Sequence, residues 1–281
     1  MNRRASSHSF RLGFTVVEML VVLAIISGLL GISVVAIYRV RAAARETERE
    51  QWRELRKWGQ PAPKHLPIKI LFIGNSYTGT NDLPGLLRSL SRELIIDSQV
   101  VGGATLESHW NDGAALQKIK SQDWDFVVLQ EQSQRPLAQF GRDGLFYPNA
   151  RRFDQEIRAV GAITVLYMTW ARPDTPGPQA LWTDSYVALT EDLRAWSVPA
   201  GIAMEQVKTK LPNVEWLADS GGHPSAEGTY LIACAFYAMI YGECPTVNSN
   251  LPPKLSAEDA VVVHECVMGA MKELKLQIKT E

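Results

Sequence analysis

"IKILFIGNSYTG", residues 68–79, begins as a short apolar run and ends in a polar turn bounded by Gly74 and Gly79. A run of this length, closed by a glycine, reads as a buried strand. Working outward, apolar runs alternate with longer amphipathic stretches. "LPGLLRSLSREL" (83–94) reads as a helix, "SQVVG" (98–102) as a weaker strand and "LESHWNDGAALQKIK" (106–120) as a second helix. "DFVVLQ" (125–130) and "AITVLYMTW" (162–170) read as strong strands. Residues 153–161, 181–196, 226–242 and roughly 256–275 carry helical patterns. Strands separated by helices imply an α/β class, a parallel sheet with helices on both faces in three layers.

In such sheets chemistry gathers at the carboxyl ends of the strands. Those ends carry "GNSYTG", "VGGATL", "LQEQSQRP" and "TWARPD". A turn straight out of a buried strand can expose the Ser76 hydroxyl and aim neighbouring N–H groups at one point. A serine in that place can equally be a helix cap. Neither GxSxG nor a Walker pattern is present, which sets aside the α/β-hydrolase and P-loop readings. Gly102 and Gly103 can bring a backbone N–H close to a substrate. Gln130 and Gln132 offer amide donors, and "LADSGGHPSAEG" (217–228) places His223 ahead of a helix, with Asp219 four residues before it. A nucleophile, a base and oxyanion donors are the parts of acyl transfer.

Together, "FIGNSYT", "NDLPGLL", "GGATLESHW", "WDFVVLQEQSQRP", "VLYMTWARPD" and "HPSAEGTYLIACAFY" resemble the SGNH (GDSL-like) hydrolase superfamily over roughly residues 67–243. The resemblance implies a flavodoxin-like sheet, with Ser76 as nucleophile and Asn75 where the family's usual motif has Asp. It implies Gly103 as the second-block glycine, with Gly102 as the alternative. Gln132, or else Gln130, takes the place of the third-block Asn. The family's Asp stands three residues before its His, a position held here by Ser220. Asp219 lies one residue further back, and Gly221 and Gly222 can let the turn loop out so that it still orients His223. The implied activity is ester hydrolysis, with carbohydrate acetyl groups or small acyl esters as substrates and no metal or cofactor. Trp110, Trp170, Trp182 and Trp216 are placed to stack on a sugar or to fill the core. His109 is a candidate substrate contact or a structural group, and His264 a packing or surface residue.

The first sixty residues read as a separate device. "FTVVEMLVVLAIISGLLGISVVAIY" (14–38) is long enough to cross a hydrocarbon core as a helix and too long for a signal-peptide core. "AAA" (42–44) mimics a signal-peptidase site, but Arg39 and Arg41 intervene. Glu18 interrupts the apolar run at the fifth position after Gly13, behind a leader with Arg3, Arg4 and Arg11. An ionisable group inside a span is costly and usually functional. This segment resembles the type IV prepilin N-terminus shared with type II secretion pseudopilins. The resemblance implies cleavage between Gly13 and Phe14 by a prepilin peptidase, methylation of the Phe14 amine, and Glu18 facing a neighbouring pilin-like subunit. Arginines on both sides of the span leave orientation undecided by charge. The resemblance implies a bacterial inner membrane protein, single-pass, with its bulk on the periplasmic side. Residues 41–58 suit a solvated helical extension, and "GQPAPKHLP" (59–67) a semi-rigid linker. The expected division is a leader at 1–13, a transmembrane helix at 14–38, an extension and linker at 39–66, and the hydrolase-like domain at 67–281.

Charge narrows the partners. The chain of 281 residues carries a net −1. Its first sixty residues are basic and the remainder is mildly acidic, a poor match for nucleic acid. Cys234, Cys244 and Cys266 have neither framework nor metal-ligand spacing. A Cys244–Cys266 bridge is open to a domain outside the cytoplasm. Two non-enzymatic classes compete with the hydrolase: a pilus or secretion-system subunit carrying an inert domain, and a surface glycan-binding module.

Overall fold

The computed structural model describes residues 16–57, 59–247 and 251–278. The elements in chain order are α1 (Val16–Arg56), β1 (Ile68–Gly74), α2 (Ser76–Gly79), α3 (Leu83–Leu90), β2 (Leu94–Val100), α4 (Leu106–Asp112), α5 (Ala114–Ile119) and β3 (Phe126–Leu129). They continue with α6 (Tyr147–Ala159), β4 (Ile163–Tyr167), α7 (Ala180–Leu193), β5 (Trp196–Val198), α8 (Ala200–Lys210), α9 (Ala226–Tyr241) and α10 (Ala257–Gln277). The chain divides into two compact units, residues 1–51 and 52–281.

The second unit is built on a five-stranded sheet in the order β2-β1-β3-β4-β5, with every pairing parallel. This is the doubly wound, flavodoxin-like order, whose switch point lies between β1 and β3. Helices α3, α8, α9 and α10 pack together as one layer, and α4 to α7 as the other. Burial on both faces explains why β3, "FVVL", is apolar without alternation and wholly buried. Helix α9 is buried from Glu227 to Tyr241, so its amphipathic signal is weak although its helical character is plain.

Several elements differ from the sequence reading. The helix expected to reach residue 94 stops at Leu90, and Leu94–Val100 instead pairs along the whole of β1. As an edge strand β2 buries Leu94 and Ile96 while Ile95 and Asp97 face out, a pattern short enough to pass for helical periodicity. The helix expected over 106–120 is broken at Gly113, whose left-handed backbone (φ 83°) closes α4 and opens α5. Arg194, also left-handed at φ 46°, ends α7 ahead of the three-residue edge strand β5. Helix α8 follows over residues that no apolar pattern singles out.

The second unit also starts earlier than the boundary at 59–67 implies. Trp52, Arg56, Ala62 and Leu66 are all buried. The Trp52 ring meets Phe126 edge-on at 6.0 Å, and Arg56 donates to the Asp125 and Gly161 carbonyls. Proline punctuation marks where the helix stops, but the chain on either side belongs to the core.

Of the N-terminal expectations, the leader 1–13 and the Gly13–Phe14 cleavage site lie outside the described residues. Glu18 falls in the first turn of α1. Among the described residues no helix is long and apolar enough to cross a membrane. The side chains of 28–35, in the middle of the expected span, lie outside them.

Candidate active site

The parallel register sets the ends of β2, β1 and β3 side by side, with Gly74 opposite Val100 and Ile73 opposite Leu129. Ser76, Gly103 and Gln132 each follow within three residues of those ends. Asn75 knits the three tips together. Its Oδ1 accepts from the Tyr77 N–H (3.0 Å), capping α2. Its Nδ2 donates to the Ala104 carbonyl (2.9 Å), and its own N–H donates to Gln130 Oε1 (2.8 Å). An aspartate could make the cap but has no N–H for Ala104. The departure from the family's usual motif therefore adds a tie to the Gly103 loop.

Ser76 Oγ lies 2.8 Å from His223 Nε2, and His223 Nδ1 lies 2.8 Å from Asp219 Oδ2. Asp219 Oδ1 also accepts the His223 backbone N–H at 3.1 Å. The four-residue spacing closes as a turn in which the Gly222 N–H donates to the Asp219 carbonyl (3.1 Å) and the Ala218 N–H to the His223 carbonyl (2.8 Å). Gly222, at φ 81°, takes the left-handed conformation that this looped-out turn requires. The His223 N–H, ahead of the other His223 and Gly222 contacts, holds the Asp219 carboxyl below the usual carboxylate range.

Four neighbours grip the turn. The Tyr77 hydroxyl donates to the Gly221 carbonyl (2.6 Å) and Trp170 Nε1 to the Gly222 carbonyl (2.9 Å). The Asp174 N–H donates to the Ser220 carbonyl (3.2 Å), and Asn81 Nδ2 to the Pro224 carbonyl (3.0 Å). Tyr77 stacks on Trp170 (5.0 Å, 12°) and sets its ring edge-on to His223 (5.4 Å). Burial pushes the Tyr77 hydroxyl up to about 12, so it remains a donor at neutral pH.

The two glutamines part company. Gln130 is fully buried, its Oε1 taken by Asn75 and Thr78 and its Nε2 by the Glu131 carbonyl at 2.6 Å. It braces the strand tips from beneath and cannot face a substrate. Gln132 is half-buried, and its Nε2 has a 3.5 Å contact to Ser133 Oγ, at the limit of a hydrogen bond. With Gly103 it lines an open cavity of about 690 Å³ that also takes in Thr105, Gln134 and Arg135. Gly103 has φ 70°, and nothing lies within 4 Å of where its Cβ would be. Among the described residues no backbone hydrogen bond takes up the N–H of Ser76 or of Gly103.

The aromatic and remaining polar candidates resolve toward structure. Trp170, Trp182 and Trp216 are buried, and Trp110 packs edge-on against Phe153 beneath the Arg152 guanidinium. None of the three buried rings offers a face to a sugar. His109 is buried with Nε2 2.8 Å from the Gly74 carbonyl, so it holds the end of β1 and does not reach a substrate. Burial lowers its pKa, leaving a neutral ring that donates there. His264 stacks on Tyr230. Cys234, Cys244 and Cys266 are all free thiols, so the Cys244–Cys266 bridge is not formed. The residues that sequence reasoning missed are Tyr77, Asn81 and Glu131, together with the role of Trp170 as a loop clamp. Their signal was position alone: Tyr77 and Asn81 just past the serine, Glu131 and Trp170 at the tips of β3 and β4.

No protein-family model matches the sequence, and neither does any curated protein. Solved structures do. The chain is similar to a DUF4886 family protein from Bacteroides uniformis, at 16% identity over 73% of this chain and 95% of that one, with a TM-score of 0.54. It is similar to a Slackia heliotrinireducens protein assigned to the SGNH hydrolases, at 23% identity over 61% of this chain and 98% of that one (TM-score 0.51). A Parabacteroides merdae protein assigned to the GDSL-like lipases matches at 13% identity over 64% and 99% of the two chains (TM-score 0.51). At such identities the likeness is one of fold, and the five-stranded parallel sheet with its two helical layers is the fold of the SGNH hydrolases.

Proposed function

We propose that this chain is a membrane-anchored serine hydrolase that cleaves acyl esters of carbohydrates or other small alcohols. The observation that carries the reading is the continuous line from Ser76 Oγ through the His223 ring to Asp219, with 2.8 Å at each link. In the proposed reaction His223 Nε2 takes the Ser76 proton as Oγ attacks the ester carbonyl carbon. The tetrahedral oxyanion is met by the N–H groups of Ser76 and Gly103 and by the Gln132 amide. His223 returns the proton to the departing alcohol, leaving an acyl-serine. Water then attacks the acyl carbon, giving its proton to His223, and the carboxylic acid leaves as Ser76 is re-formed. The test is hydrolysis of p-nitrophenyl acetate by the full chain in detergent, beside Ser76→Ala. We expect turnover that the variant loses by at least about 10³-fold. A folded protein with no turnover would move the reading to a pilus-type subunit or glycan-binding module with an inert hydrolase-like domain.

The anchoring half of the proposal is supported by α1, whose large apolar side chains from Val16 to Ile26 are all exposed. A helix apolar on every side suits lipid or neighbouring helices better than water. We read residues 14–38 as a single bacterial inner membrane span with the globular unit outside the cytoplasm. The prepilin-like leader would be cut before Phe14 and Glu18 would meet a pilin-like subunit. Mass spectrometry of the membrane form decides this. A methylated Phe14 start is expected, and an intact Met1 start would sink the prepilin part.

A further inference from the structure

Glu131 is the one acid in the segment "QEQSQ" that leaves β3, and it is 1% exposed. Its Oε1 accepts two backbone N–H groups, from Gln132 at 2.6 Å and from Leu106 at 3.2 Å. Leu106 opens α4 three residues past Gly103, and Gln132 carries the proposed side-chain donor. One carboxylate oxygen thus joins the two loops that supply two of the three oxyanion donors. Two further ties among the tips, Asn75 to Ala104 and Gln130 to Asn75, are made by neutral amides.

We propose that Glu131 is a positioning residue whose carboxylate form holds the Gly103 and Gln132 loops at the separation an oxyanion needs, so that turnover rises as Glu131 ionises. The inference rests on the hydrolytic reading above. A carboxylate draws in N–H donors more strongly than a neutral carboxyl does. Burial pushes the Glu131 carboxyl up to about 7, against the pull of the Gln132 and Leu106 N–H groups, so its charge changes near neutrality. The charged and titratable groups bearing on it are Arg135 on its own loop, Glu107 on α4 and Tyr186 on α7. Arg135 favours the ionised form and Glu107 opposes it. The oxyanion exists only beyond the ground state, so loosened donors lower kcat and leave KM alone.

The experiment compares kcat of the full-length wild type and Glu131→Gln on p-nitrophenyl acetate across neutral pH, with Ser76→Ala as background and circular dichroism to verify folding. Glutamine keeps the acceptor and removes the charge. Any other protonation that limits turnover affects both proteins, so it divides out of their ratio. The wild-type to Glu131→Gln ratio of kcat should be near one below about pH 6 and rise to about tenfold above about pH 8, with KM within about twofold. A ratio constant with pH would overturn the inference, leaving Glu131 as packing. A ratio that falls as pH rises would also overturn it, since the charge would then be repelling the oxyanion. If Glu131→Gln does not fold, the wild-type acid limb decides, a slope steeper than one proton being expected and a slope of one overturning the proposal. Wild-type turnover no faster than Ser76→Ala would overturn the hydrolytic reading itself, a result distinct from an active enzyme with a flat ratio.

Discussion

Asp219 meets His223 twice, through the ring Nδ1 and through the backbone N–H, and both contacts lie at the protein surface. The Asp219 side chain is 50% exposed and that of His223 33%. In the proposed mechanism the acid fixes the ring with Nδ1 protonated and supports the imidazolium as it forms. Water screens the second effect here, whereas the first depends only on geometry. Replacing a buried triad acid by its amide costs roughly 10⁴ in kcat. For Asp219→Asn we expect about 10²-fold in kcat, with KM within about twofold, measured on p-nitrophenyl acetate. Because its carboxyl is held below the ordinary range, Asp219 stays ionised through the whole acid limb and contributes no inflection of its own. A variant as fast as wild type would remove Asp219 from the mechanism and leave a Ser76–His223 pair steadied by the loop.

At the scale of the element, the looped-out turn survives because other elements hold its carbonyls. Gly222 is where that support leaves no room. At φ 81° an added Cβ is strained in any case, and it would run into the Tyr77 hydroxyl and crowd Arg172 Cγ at 3.1 Å. We expect Gly222→Ala to lose about 2–3 kcal/mol of stability and to lower kcat more than about tenfold by displacing His223, read by thermal melting and steady-state kinetics. An unchanged melt with unchanged kcat would mean that the turn is not held as described. This turn also marks the limit of what the sequence discloses. Ser76, His223 and Asp219 were legible because each sits in a local pattern, a strand end or a helix start. β1, β3 and β4 were legible as apolar runs buried on both faces. β2 was legible only in its last residues, 98–100, since an edge strand shows only half of its pattern, and β5, three residues long, was not. The clamp of Tyr77, Trp170 and Asn81 joins residues about 50 to 150 positions apart, which no local periodicity can report. Gln130 and Gln132 offer the same amide two residues apart. Only the direction in which the chain leaves β3 separates the brace from the donor.

At the scale of the whole molecule, the question is where the hydrolase-like unit begins. Proline and glycine at 59–67 suggest a start at residue 67, but the compact unit runs from Trp52. The reason lies at the end of the sheet opposite the proposed site. Asp125 is fully buried there, with the Lys69 N–H on Oδ2 (2.9 Å) and Arg53 and Arg56 both on Oδ1 (3.2 Å). Arg56 is itself 2% exposed and lies over the Trp52 and Phe126 rings. Cutting at residue 67 removes the Arg53 and Arg56 guanidinium groups from the Asp125 carboxylate, a loss of about 3–5 kcal/mol for a broken buried pair. It also uncovers the apolar surface under Trp52 and Leu66, worth about 2 kcal/mol for each side chain. Those losses together rival the whole stability of an ordinary domain, about 5–15 kcal/mol. We therefore expect a fragment 52–281 to melt cooperatively and to keep the esterase activity proposed for the full chain. A fragment 67–281 should be unfolded or lack a cooperative transition at the same temperature, as read by circular dichroism. Equal melting temperatures would show that the basic end of α1 adds nothing to the fold, and that the boundary belongs at the prolines after all.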